Sequence, residues 1–134
     1  MAKLKPTLTL VSTAGSTGVS ENASLALSVT DELTVTDPMV GVSRVACTAT
    51  GGDNIILTSV DATRYLYIKN TGLDASDGAT TAAVKVETGD GARIINLAKD
   101  EFCFLPYHAE TAGIIQLEAS SGTVIAEYAY WTKK

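Results

Sequence analysis

Few side chains in this sequence are of a type that could carry chemistry. There is one histidine, His108, and there are two cysteines, Cys47 and Cys103; Glu87, Glu101, Glu118 and Glu127 lie in runs of strand character. A hydrolytic triad needs a nucleophile, a base within hydrogen-bond reach of it, and an acid that orients the base. His108 sits just past Pro106 in what reads as a loop, and the sequence has no Gly-x-Ser-x-Gly elbow and no helix for one to open. A solvated or capping histidine is the simpler account. Two carboxylates astride a glycosidic bond would hydrolyse it, but the four glutamates read more simply as solvent-face residues of half-exposed strands. One histidine and two distant cysteines do not make a tetrahedral zinc shell. Asp74-Ala75-Ser76-Asp77-Gly78 and Asp90-Gly91 offer oxygen ligands of the kind calcium takes, yet the terminal bidentate Glu of an EF-hand is missing. Asx-turn chemistry explains the same residues. The reading is therefore no catalytic residue, no cofactor and no metal.

Two further groups have a structural reading. Tyr65, Tyr67, Tyr128 and Tyr130 would form a sugar-binding stripe if they shared an exposed face, but residues so embedded in strand patterns belong to a core or a subunit interface. Cys47 follows Val45 and Ala46, and Cys103 lies between Phe102 and Phe104, so each reads as a buried free thiol packed as a small hydrophobe. Asn22-Ala23-Ser24 is a glycosylation sequon with meaning only in an exported protein.

The elements that must position these residues are strands. The organising stretch is Tyr65-Leu66-Tyr67-Ile68-Lys69-Asn70, whose period-two alternation puts Tyr65, Tyr67 and Lys69 on one face and Leu66, Ile68 and Asn70 on the other. It reads as a central strand. Similar runs occupy 4–11, 24–36, 44–50, 54–59, 82–87, 93–97, 101–105, 113–118 and 122–131, with Asp37-Pro38 and Pro106 as stops. Gly51-Gly52-Asp53, Thr88-Gly89-Asp90-Gly91 and Ala98-Lys99-Asp100 read as hairpin turns. Phase is kept across Asp31-Glu32, which predicts a bent strand or two strands tightly joined. Roughly nine or ten strands with no competing helical window predict an all-β antiparallel β-sandwich in jelly-roll or Greek-key order.

The N-terminal end is written differently. Leu4, Pro6, Leu8 and Leu10 make an apolar stripe in which Pro6 cannot donate to a ladder, so this run belongs at an edge or in an extended arm. Residues 12–22 are small and polar and read as a long loop. The division expected is an arm and flexible loop over 1–22 and a β-sandwich domain over 23–134, with Leu4, Pro6, Leu8 and Leu10 as protein-interface residues.

Composition restricts the partners. The chain has 134 residues, 46% hydrophobic and only 19% charged, with a net charge of -5. That is one domain's length, and an acidic surface cannot neutralise a run of phosphates, so no nucleic acid is expected. A surface so poor in charge suits a protein packed against neighbours. Met1-Ala2-Lys3-Leu4-Lys5-Pro6 has no signal-peptide core and no stretch is long enough to span a bilayer, so the expectation is a soluble chain with no membrane partner.

The succession Tyr65-Leu-Tyr-Ile-Lys-Asn-Thr-Gly72, Val84-Lys-Val86, Ile94-Ile-Asn-Leu97, Asp100-Glu-Phe-Cys-Phe-Leu-Pro106 and Glu127-Tyr-Ala-Tyr130 resembles small virion structural proteins of tailed bacteriophages. It covers about the C-terminal half, and the Leu97-Ala98-Lys99-Asp100 turn departs from the Pro-Gly or Gly turn of that pattern. The resemblance implies a capsid decoration (cement) protein on the virion surface, assembled in the host cytoplasm. It would be a homo-oligomer, with a trimer favoured, bound to the major capsid protein lattice. A tail or fibre component is the nearest variant, and a carbohydrate- or receptor-binding module is the competitor from another class.

Overall fold

The computed structural model describes residues 2–11, 26–38, 41–49, 54–57, 63–108 and 114–133. The polar loop at 12–22, the sequon and the Gly51-Gly52-Asp53 turn lie outside them. The described residues form twelve antiparallel strands and no helix, an all-β protein as expected.

Eight of the strands pair as a nested set. β5 (Ser43–Thr48) pairs with β12 (Thr123–Lys133), β6 (Asn54–Leu57) with β11 (Ile115–Ala119), β7 (Thr63–Asn70) with β10 (Phe102–His108), and β8 (Val84–Thr88) with β9 (Arg93–Leu97). Two further pairings, β12 with β7 and β11 with β8, join these pairs into the orders β5-β12-β7-β10 and β6-β11-β8-β9. The stretch 65–70 is thus central, flanked by β12 and β10. Leu66, Ile68 and Val124 of the first sheet share one buried cluster with Val86, Ile115 and Leu117 of the second. The alternation read from the sequence holds: the inward positions of β7 are Leu66, Ile68 and Asn70, and Tyr65, Tyr67 and Lys69 face outward.

Among the described residues, Asn70 is the one polar side chain with no exposed surface. Its amide donates to the carbonyls of Ala82 (2.9 Å) and Leu97 (3.0 Å), and its Oδ1 accepts from the Gly72 N–H (2.9 Å). A residue of one sheet so holds the entry to β8 and the end of β9 in the other, with every amide contact made inside the core. The turn that follows needs glycine: Gly72 has φ +68°, and a Cβ there would lie 2.6 Å from Lys99 Cγ.

The first four strands stand outside this nest. β1 (Ala2–Leu4) pairs with β4 (Leu33–Pro38) and β2 (Thr7–Val11) with β3 (Ala26–Thr30). Leu4 faces Leu33, Thr7 faces Thr30 and Val11 faces Ala26, so each partner's number is 37 minus the residue's own on both sides of the Lys5-Pro6 break. These are two halves of one long hairpin, held at the bend by the Asp31 N–H donating to the Pro6 carbonyl (3.2 Å) and by a Lys3–Glu32 ion pair. The phase kept across Asp31-Glu32 is this unbroken register. The near half joins the first sheet, where β4 pairs with the last residues of β12 beyond the part occupied by β5. The partner of the N-terminal strands is therefore 26–35, so the pairing runs across residue 22.

Four expectations are corrected. The turn at 98–100 does not make a hairpin, because β9 and β10 belong to different sheets; nor do β5 and β6 pair with each other. Both connections carry the chain from one sheet to the other, which a turn's length does not reveal. Pro106 does not stop its strand: β10 runs on to His108, because an edge strand loses no ladder bond to a proline on its open side. His108 accordingly lies at a strand end and not in a loop.

Candidate interaction surface

The stripe predicted from Leu4, Pro6, Leu8 and Leu10 is matched on the opposite strand. Cross-strand pairing sets Leu8 against Val29 and Leu10 against Leu27, while Thr7, Thr9, Ser28 and Thr30 take the other face. Leu4 and Leu33, near the body, are half-buried, and Val35 is buried. Beyond the bend the same face is open: Leu8 is 49% exposed, Leu10 42%, Leu27 40% and Val29 51%. The hairpin is an amphipathic ribbon whose apolar face is covered at its root and open along its outer half.

A second apolar group borders it. On the outward face of the first sheet, Phe102 and Phe104 of β10 lie directly opposite Lys69 and Tyr67 of β7. Phe104 stacks on Tyr65 (ring centroids 6.1 Å) and meets Trp131 of β12 (6.4 Å), while Tyr67 meets Phe102 (6.3 Å). Rings from both flanking strands crowd Tyr65, which is buried although it faces outward; Phe102 is the most open of the group at 62%. Pro6, Thr7 and Leu8 at the hairpin bend come up to Phe102, Cys103 and Phe104, and the six residues line a cleft of about 300 Å³. Leu8, at the start of the open ribbon face, thus borders one cleft with the open phenylalanines.

The aromatic group differs from the stripe considered in the sequence. Tyr65 and Tyr67 face outward, but Tyr128 and Tyr130 pack against the core, so the four tyrosines do not share a face. Phe102 and Phe104, read as cover for Cys103, point the other way. The signal was present: in a run of consecutive apolar residues the neighbours of an inward Cys103 must be outward.

The chemistry-bearing residues are otherwise engaged. Glu127 accepts from Arg44 (2.7 Å), Glu118 from Lys85 (2.7 Å), and Glu101 from the Ala98 N–H (2.7 Å), while buried Glu87 lies 3.7 Å from Arg93. Asp74 Oδ1 accepts the N–H groups of Ser76 (2.8 Å) and Gly78 (2.9 Å), the Asx-turn arrangement expected there. The Thr88 hydroxyl and the Ala92 N–H hold the Asp90 carboxyl below its ordinary pKa at the β8–β9 turn. Among the described residues no group of three or more metal-ligating side chains occurs. Both cysteines are free thiols, Cys47 wholly buried and Cys103 half-buried. β5 and β10 are three strand spacings apart, about 14 Å, well beyond disulfide reach. Burial pushes the Cys47 thiol up to about 12 and that of Cys103 up as well. Compared with known proteins, the chain matches no protein-family model, no curated protein and no solved structure.

Proposed function

We propose that this chain is a non-enzymatic structural protein of a tailed-bacteriophage particle, a capsid decoration protein that oligomerises and binds the major capsid lattice. The observation that carries the reading is the open apolar face of the hairpin, a surface that water alone leaves uncovered and that a packed assembly would bury. The strand order supports it. Nested pairing of β5 with β12, β6 with β11, β7 with β10 and β8 with β9 is what wrapping one long eight-stranded hairpin into two packed sheets produces, a jelly-roll reading of the sandwich. Viral capsid domains and lectins use that architecture. Architecture alone does not assign a role, so the weight rests on the surface.

The test starts from the gene neighbourhood: a major capsid protein gene found beside this one supplies undecorated capsids for co-sedimentation with the chain. Saturable pelleting with the capsids, weakened by Leu10→Asp, is the expected result. Pelleting with tails instead would move the role to a tail or fibre component. Binding to glycans without binding to capsids would make it a receptor-binding module.

A further inference from the structure

We infer that the hairpin's open apolar face docks on Phe102 and Phe104 of a second copy of this chain. The inference deepens the proposed role by naming what covers the hairpin, and it rests on that reading only in taking the chain to work as an assembly.

Three observations carry it. First, the chain holds both halves of an apolar contact without closing it. Leu8, Leu10, Leu27 and Val29 are 40–51% exposed and Phe102 is 62% exposed, although the bend at Pro6 brings the ribbon to within a cleft of Phe102 and Phe104. Second, a two-stranded ribbon is marginal in water unless its apolar face is packed. Among the described residues, no member of the buried core cluster belongs to the hairpin. Third, the areas match. The four ribbon side chains and two phenylalanines leave on the order of 600 Å² open, at the upper end of what a lone subunit shows. Two copies that exchange ribbons would bury on the order of 1,200 Å², the lower bound of a specific interface.

The chemistry of the two faces selects this occupant over a charged one. The ribbon's open face carries no ionisable group and its reverse carries Thr7, Thr9, Ser28 and Thr30, while the opposing surface is two phenyl rings with Lys69 across from Phe102. Each copy bears a net charge of -5, so salt that screens their repulsion strengthens the contact.

The experiment is sedimentation velocity on the isolated chain and on two variants, Leu10→Asp in the ribbon and Phe102→Asp on β10. Circular dichroism and melting first confirm that both variants fold; Leu10→Ser and Phe102→Ser replace any that does not. The wild type is expected to associate in a concentration-dependent way, more strongly at 0.5 M than at 0.05 M salt, and each variant to be at least tenfold weaker. An equimolar mixture of the two variants should regain association, because one supplies an intact ribbon and the other intact phenylalanines. Recovery on mixing separates this contact from ribbon-on-ribbon or ring-on-ring packing, neither of which mixing restores. A wild type that stays monomeric at every concentration, variants that associate as the wild type does, or a mixture no stronger than its parts would overturn the inference. A wild type that self-associates with recovery on mixing but never pellets with capsids would leave it standing and sink the lattice-binding role.

Discussion

Asn70 and Cys47 show opposite ways of placing a polar atom in this core. Asn70 satisfies two carbonyls and one N–H that belong to three different segments. Its replacement by Ala leaves those groups buried without partners, at roughly 1 kcal/mol or more each. Asn70→Ala is therefore expected to lower unfolding stability by about 3 kcal/mol, read as a shift in the urea midpoint at constant m. A shift under 1 kcal/mol would mean that water replaces the amide. Cys47 is instead kept neutral by burial, with its thiol pushed from 9.0 to about 12. Between those values the unfolded chain has lost the proton and the folded one has kept it. Stability is thus fully present below pH 9 and falls as pH rises toward 12, by on the order of 1 kcal/mol per unit. Melting from pH 8 to 11 should show a steeper loss for the wild type than for Cys47→Ala, and equal slopes would refute the assignment.

At the scale of elements, the hairpin is separable and the strands within it are not. The buried cluster contains no described residue from 2–38, whereas β1 and β2 have 26–35 as their partners. Deleting 2–38 is expected to leave a cooperative fold whose Tm drops by about 5–10 °C, because the last residues of β12 lose the strand β4 that pairs with them, and with it the buried Val35. Deleting only 2–22 cuts the hairpin lengthwise and leaves β3 and β4 with an open edge, so that variant should melt lower still or aggregate. If the shorter deletion is the milder one, the N-terminal strands form an independent arm. β10 teaches the same lesson at an edge: Pro106 reads as a terminator in isolation, and the strand passes through it because, among the described residues, no strand pairs on its outer side.

For the whole molecule, nested pairing means that the outermost partners are far apart in sequence: Thr48 pairs with Thr123. Closing such loops must precede any gain from the contacts, so refolding is expected in the millisecond-to-second range by stopped-flow fluorescence of Trp131. A microsecond phase carrying the full amplitude would contradict that topology. What the sequence by itself determined was local: alternation marked nearly every strand, put Ile68 inside and Tyr67 outside, and kept Leu27, Val29, Leu33 and Val35 in one phase across a bend. Only the tertiary structure decided which strands pair, because turns as short as 98–100 serve equally for a hairpin and for a crossing between sheets. It likewise decided that Leu8, Phe102 and Phe104 remain open beside one cleft, with Leu10 open farther along the ribbon. Period-two patterning tells which residues share a face of a strand, but whether that face is covered depends on neighbours brought in from distant parts of the chain.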